Sequence, residues 1–139
     1  MKLLVTRALT PAVETRVAQE FPDVTFRNGA APMTEAEAAA ALATHDALLV
    51  TLGDQVRGAA FAGPLRTKIV ANFGVGYNHI DAAAAKAHGI TVTNTPGAVT
   101  DATADIALTL LLMSARRAGA GERFVRSGAW TGWTPTQFL

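Results

Sequence analysis

The 139-residue chain is half apolar and sets 12 lysines and arginines against 11 aspartates and glutamates, for a formal net charge of +1. So even a balance gives no field for holding nucleic acid or an anionic membrane, and the absence of cysteine excludes disulfides, thiolate metal centres and cysteine nucleophiles, leaving three scattered histidines as a poor metal set. The length suits one ordinary domain with a real core, and Arg7 and Pro11 break the first apolar run short of a signal peptide, so a cytoplasmic location is expected.

In chain order, residues 3–6 form an apolar, partly β-branched run that reads as a strand, and Thr10-Pro11 offers an N-cap hydroxyl and a proline at the first helical position. The following helix repeats Val13, Val17 and Phe21 on one face, with Glu14, Arg16 and Glu20 elsewhere, the pattern of a helix lying on a sheet. Residues 24–26 make a second short strand, and Thr34 and Glu37 have capping-box spacing ahead of an alanine-rich helix to about residue 43. Residues 47–51 are continuously apolar, as in a parallel strand covered on both faces. A short helical segment over 59–62, a strand over 68–71, a helix over 82–88 capped by Asp81 and ended by Gly89, and a strand over 90–93 complete the alternation. Five strands alternating with helices predict an α/β fold, a flavodoxin-like five-stranded parallel sheet with helices on both faces.

Beyond the fifth strand Thr95-Pro96-Gly97 turns the chain, and Thr100 or Asp101 caps a helix predicted to reach Arg117. Ile106, Leu108 and residues 110–113 leave it little polar face, so it calls for protein on several sides, while its polar residues keep it short of a bilayer span. The remainder holds one polar helical turn over 122–126 and a glycine-, threonine- and proline-rich loop, which Trp130 and Trp133 are expected to pack onto the domain rather than to wall an active site.

Chemistry concentrates in residues 72–81, Asn-Phe-Gly-Val-Gly-Tyr-Asn-His-Ile-Asp, a glycine-rich turn at the carboxyl end of a parallel strand, where open α/β sheets bind ligands. Gly74 and Gly76 match the first two glycines of a dinucleotide fingerprint, but His79 stands in place of the third. Two readings remain. The glycines let a ligand approach so that the N–H groups of Val75 and Gly76 donate to an anion such as a carboxylate, or they serve only a tight turn. His79, near Asp81, is a candidate acid, and packing or capping is the preferred reading of it. His45 and His88 read as solvated surface, and Arg116, Arg117, Arg123 and Arg126 as partners of helix dipoles rather than a phosphate site. A phospho-acceptor receiver domain shares the topology but needs clustered carboxylates at strand ends, and Thr6-Arg7 follows the first strand here.

The glycine loop resembles the substrate-binding loop of the D-2-hydroxyacid dehydrogenases. Residues 93–105, Thr-Asn-Thr-Pro-Gly-Ala-Val-Thr-Asp-Ala-Thr-Ala-Asp, are similar to the segment carrying their chain toward the cofactor domain. Many relatives have Val-Ala-Glu where this sequence reads Thr103-Ala104-Asp105; that version, with the Arg116-Arg117, Trp130, Gly132-Trp133 and Pro135 tail, resembles the glyoxylate reductase branch, so the likeness covers essentially the whole chain. It implies hydride transfer between NAD(P)H and a small 2-oxo acid such as glyoxylate or hydroxypyruvate. By the resemblance, Val75 and Gly76, with Gly74 in the same loop, hold the substrate carboxylate, Leu52 shapes the pocket wall, and Thr103 touches the cofactor. No catalytic residue is expected in this chain, because the family's substrate-orienting arginine, its proton-donating histidine with a carboxylate partner, and its nucleotide fingerprint belong to motifs beyond residue 139, and tight NAD(P)H binding is not expected either. The implied organisation is a substrate-binding domain over 1–99, then over 100–139 a long apolar domain-crossing helix and a linker toward an NAD(P)-binding domain. Such a helix exposes an apolar patch over 104–115 and predicts a homo-oligomer. The alternative is a stand-alone carboxylate-binding or structural oligomerisation module.

Overall fold

The first strand needs only three residues. In β1 (Leu3–Val5) every side chain is buried because the strand is sandwiched between two others and covered on both faces. The computed structural model describes residues 1–27, 29 and 31–136, and the chain divides into two compact units, Met1–Ala98 and Val99–Leu139.

The first unit holds β1, α1 (Pro11–Glu20), β2 (Val24–Phe26), α2 (Glu35–Thr44), β3 (Ala47–Thr51), a 3-10 turn (Gly58–Phe61), β4 (Ile69–Phe73), α3 (Ala82–Ala87) and β5 (Thr91–Thr93). All strand pairs are parallel, in the order β2-β1-β3-β4-β5. That order is the flavodoxin-like one, and its switch point lies where β1 and β3 are neighbours. Helix α1 packs Val17 and Phe21 against Leu3, Val5 and Ala47 on one face. On the other, α2, the 3-10 turn and α3 bring Leu42, Phe61 and Ala85 onto Leu4, Leu48, Val50 and Val70. Each fully buried aliphatic side chain there contributes roughly 1.5–3 kcal/mol.

Local signals explain the ends of these elements. Pro11 opens α1 at its first turn, but Thr10 makes no side-chain cap. Instead Glu14 Oε1 accepts from the Leu9 N–H at 2.8 Å, so a first-turn carboxylate reaches back. The capping box on α2 is complete, Glu37 N–H donating to Thr34 Oγ1 at 3.3 Å and Thr34 N–H to Glu37 Oε2 at 2.8 Å. Asp81 Oδ1 caps α3 by accepting from Ala84 N–H at 2.8 Å, and Gly89 takes a φ of 71° just past its end.

The second unit corrects four expectations. Residues 100–115 form α4 (Thr100–Ala115), which starts from Val99 without a side-chain cap from Thr100 or Asp101. Among the described residues there is no long apolar domain-crossing helix: α4 has 16 residues, about 24 Å at the helical rise per residue, and then turns at Arg117, whose φ is 51°, into α5 (Ala118–Arg126) of the same unit. Every residue of α4 is exposed, which includes the apolar patch expected over 104–115. The single polar turn expected over 122–126 is in fact a nine-residue helix, formed despite two glycines that lower its intrinsic propensity. Trp130 and Trp133, expected to pack, are 51% and 77% exposed. Among the described residues no helix is long and apolar enough to cross a membrane.

Candidate functional site

The carboxyl ends of β1, β3 and β4 gather the chemistry of the first unit, because a parallel sheet delivers all its strand-to-helix turns to one edge. Past β3, Gly53 has a φ of 94°, and a Cβ there would stand 2.9 Å from Pro32 Cγ, so only glycine fits this turn. Asp54 follows, wholly buried. Its carboxylate accepts from Thr6 Oγ1 at 2.5 Å, Met33 N–H at 2.7 Å and Thr51 N–H at 2.9 Å, fastening the end of β1, the approach to α2 and the end of β3 together. Leu52 is thereby held out at the edge, 65% exposed, with Phe73 beside it at 60%. They line a cavity of about 310 Å³ with Arg7, Ala8, Leu9 and Thr51. Arg7 Nη2 donates to the Leu52 carbonyl at 3.4 Å.

Past β4, the glycine loop is pinned by its carbonyls. Asn72 Nδ2 donates to Gly74 O at 3.0 Å and Gly76 O at 2.9 Å, Asn94 Nδ2 to Val75 O at 2.9 Å, and Thr95 N–H to Gly74 O at 3.1 Å. With three consecutive carbonyls engaged, the N–H groups of Val75 and Gly76 are left without a hydrogen-bond partner among the described residues. Neither Gly74 nor Gly76 has a positive φ, and a Cβ at Gly76 would meet nothing within 4 Å. Neither a positive φ nor a close approach therefore requires glycine at Gly76, where a side chain would enter open space. A Cβ at Gly74 would lie 4.0 Å from Leu52 Cγ, so the β3 and β4 loops meet side by side.

His79 is buried, and its Nε2 lies 3.1 Å from Asn72 Oδ1. Burial pushes the imidazole below the ordinary histidine range; the charge of Asp54 opposes this and that of Arg57 adds to it. A ring so enclosed and engaged is placed to brace the loop, not to exchange protons with a ligand. His45 is half-buried and held low first by burial, while His88 is exposed and stacks on Phe61 with ring centroids 6.3 Å apart.

Of the residues singled out from the sequence, Leu52, Gly74, Val75 and Gly76 come together at this edge; Thr103 lies in the second unit, exposed on α4. Sequence reasoning missed Asp54, Asn72 and Asn94. Asp54 had one visible signal, an acid set between Val50 and Val56 where the surrounding pattern is apolar. No group of three His, Asp or Glu residues suited to a metal occurs among the described residues.

Residues 3–134 match the D-isomer specific 2-hydroxyacid dehydrogenase, catalytic domain. The glycerate dehydrogenase of Hyphomicrobium methylovorum is 40% identical over 139 residues, 99% of this chain and 43% of that protein. The glyoxylate reductase of Pyrococcus horikoshii is 47% identical over 98 residues, 68% of this chain and 29% of that protein. Among solved structures, the TT0316 protein of Thermus thermophilus superposes with a TM-score of 0.87 at 34% identity, covering 100% of this chain and 44% of its own. The chain thus spans less than half the length of the relatives it matches.

Proposed function

Since the chain belongs to the D-isomer specific 2-hydroxyacid dehydrogenase family, we propose that its first unit is the substrate-binding half of an NAD(P)-dependent oxidoreductase acting on a small 2-oxo or 2-hydroxy acid, as the glycerate dehydrogenase and glyoxylate reductases among its relatives do by name. One observation carries this reading. Two adjacent N–H groups, Val75 and Gly76, stand free at the carboxyl edge of the sheet while the carbonyls around them are tied back. Such a pair suits the two oxygens of a carboxylate. Leu52 and Phe73 supply an apolar wall for the rest of a small acid, which favours a short substrate over a charged chain.

The glycine loop does not fit a dinucleotide. The third glycine of that fingerprint would admit a close helix behind the pyrophosphate, and its place is filled by the buried, hydrogen-bonded His79. The six-residue α3 begins only at Ala82. We assign Thr103 a cofactor contact in the complete protein by family likeness, and no step of hydride transfer to the residues of this chain. We further propose that α4 is covered by a second copy of the chain: Ile106, Leu108, Leu110, Leu111, Leu112 and Met113 are 43–65% exposed, an apolar surface that water penalises.

The test is a titration of the ¹⁵N-labelled chain with glyoxylate. The expected outcome is saturable, millimolar-range shifts centred on the amides of Val75 and Gly76; an unchanged spectrum overturns the carboxylate reading. A stand-alone binder and an enzyme half share this result, and joining the chain to a family NAD(P)-binding domain separates them by turnover.

A further inference from the structure

The loop's free donors are of use only if its carbonyls stay turned away, and one side-chain pair accounts for two of the three. The Asn72 amide nitrogen spends both its hydrogens on Gly74 O and Gly76 O, at 3.0 and 2.9 Å. Flipping that amide would set its oxygen against two carbonyl oxygens, so the network fixes its orientation. Oδ1 therefore faces His79, and the nitrogen 3.1 Å away, Nε2, carries the proton. His79 is itself fixed from the β3 side. Its carbonyl accepts from Val56 N–H at 3.0 Å, Asp81 N–H donates to Val56 O at 2.8 Å, and Val56 pairs with Ile80 as a parallel bridge. Two residues before Val56 is Asp54, the buried carboxylate that holds the end of β3.

We infer that Asn72 and His79 form a positioning pair: His79, anchored to the β3 loop, orients the Asn72 amide, which pulls the Gly74 and Gly76 carbonyls inward and turns the Val75 and Gly76 N–H groups toward an anionic ligand. The identity of that ligand as a carboxylate rests on the function proposed above; the loop geometry does not. His79 is a positioning residue and touches no substrate, being 6% exposed with Nε2 occupied. Burial keeps the ring neutral, so the Nε2–H tautomer is the form that serves.

The experiment uses the ¹⁵N-labelled chain at neutral pH and has two readouts. Long-range ¹H–¹⁵N spectra of the unmodified chain report the His79 tautomer: Nε2–H is required, and Nδ1–H overturns the pairing whatever any variant does. His79→Gln, which keeps an N–H near the Nε2 position, is then compared with His79→Phe, which fills the space without a donor. The Gly74, Val75 and Gly76 amides are expected to keep their chemical shifts in the first variant and to move in the second, with glyoxylate affinity falling about tenfold, the weight of one well-placed hydrogen bond. His79→Phe folded with an unaltered loop and unaltered affinity overturns the proposal. A loop that depends on His79 in a chain that ignores glyoxylate upholds the positioning pair and removes the carboxylate reading instead.

Discussion

Asp54 shows how one side chain can hold a site it does not enter. Its carboxylate is buried without a cationic partner among the described residues and relies on donors from three residues, Thr6, Met33 and Thr51. Asp54→Ala leaves all three facing an empty space, and the expected loss is at least about 3 kcal/mol, read from urea unfolding of the chain. Asp54→Asn should cost less, about 1–3 kcal/mol, because one acceptor oxygen survives. A loss below about 1 kcal/mol for the alanine variant would mean that water replaces the carboxylate and that the hub is not what joins the strand ends. In the sequence only its place between Val50 and Val56 set this aspartate apart from ten other acids, since burial is a property of the neighbours.

Elements were legible where the signal is local. The capping box of α2 rests on two residues three apart, and both reciprocal bonds form. Thr34→Ala is therefore expected to lower stability by about 1 kcal/mol, seen as a fall of several degrees in the thermal midpoint with the fold unchanged by circular dichroism. The parallel strands could be recognised from continuous apolar runs such as residues 47–51, which match β3 residue for residue. By contrast α4 misled. Its leucines carry no direction, so the sequence predicted a passage between domains, whereas the helix turns through Arg117 into α5 of the same unit. Helix α5 went largely unseen because Gly119 and Gly121 argue locally against a helix.

At the scale of the molecule, pH and association are the two levers. His45 and His79 are both held below the ordinary histidine range, burial being the largest cause in each; Lys2 and Arg66 add to it at His45 and Arg57 does so at His79. The folded state thus binds these protons less readily than the unfolded chain. Stability is full above the unfolded value of about 6.5 and is lost as pH falls through the lower folded values. Glu37, held at about 2 first by the Thr34 backbone N–H, and Asp46, held at about 2 first by Arg66, stay charged through that window and act only in stronger acid. Thermal midpoints should therefore fall from about pH 7.5 to about pH 5.5, and the double variant His45→Gln, His79→Gln should flatten that slope; an equal slope in the variant would place the titration elsewhere. For association, Leu111, 65% exposed, sits in the proposed α4 contact, so light scattering should find the unmodified chain larger than one copy and Leu111→Glu reduced to a monomer. The sequence by itself determined the alternation of strands and helices, the caps and the position of the glycine loop, because propensity, periodicity and capping act within a few residues. Only the tertiary structure decided that Gly76 opens onto space and that Asp54 and the Asn72–His79 pair lie behind the loops, because burial and hydrogen-bond partnership are settled between residues distant in the chain.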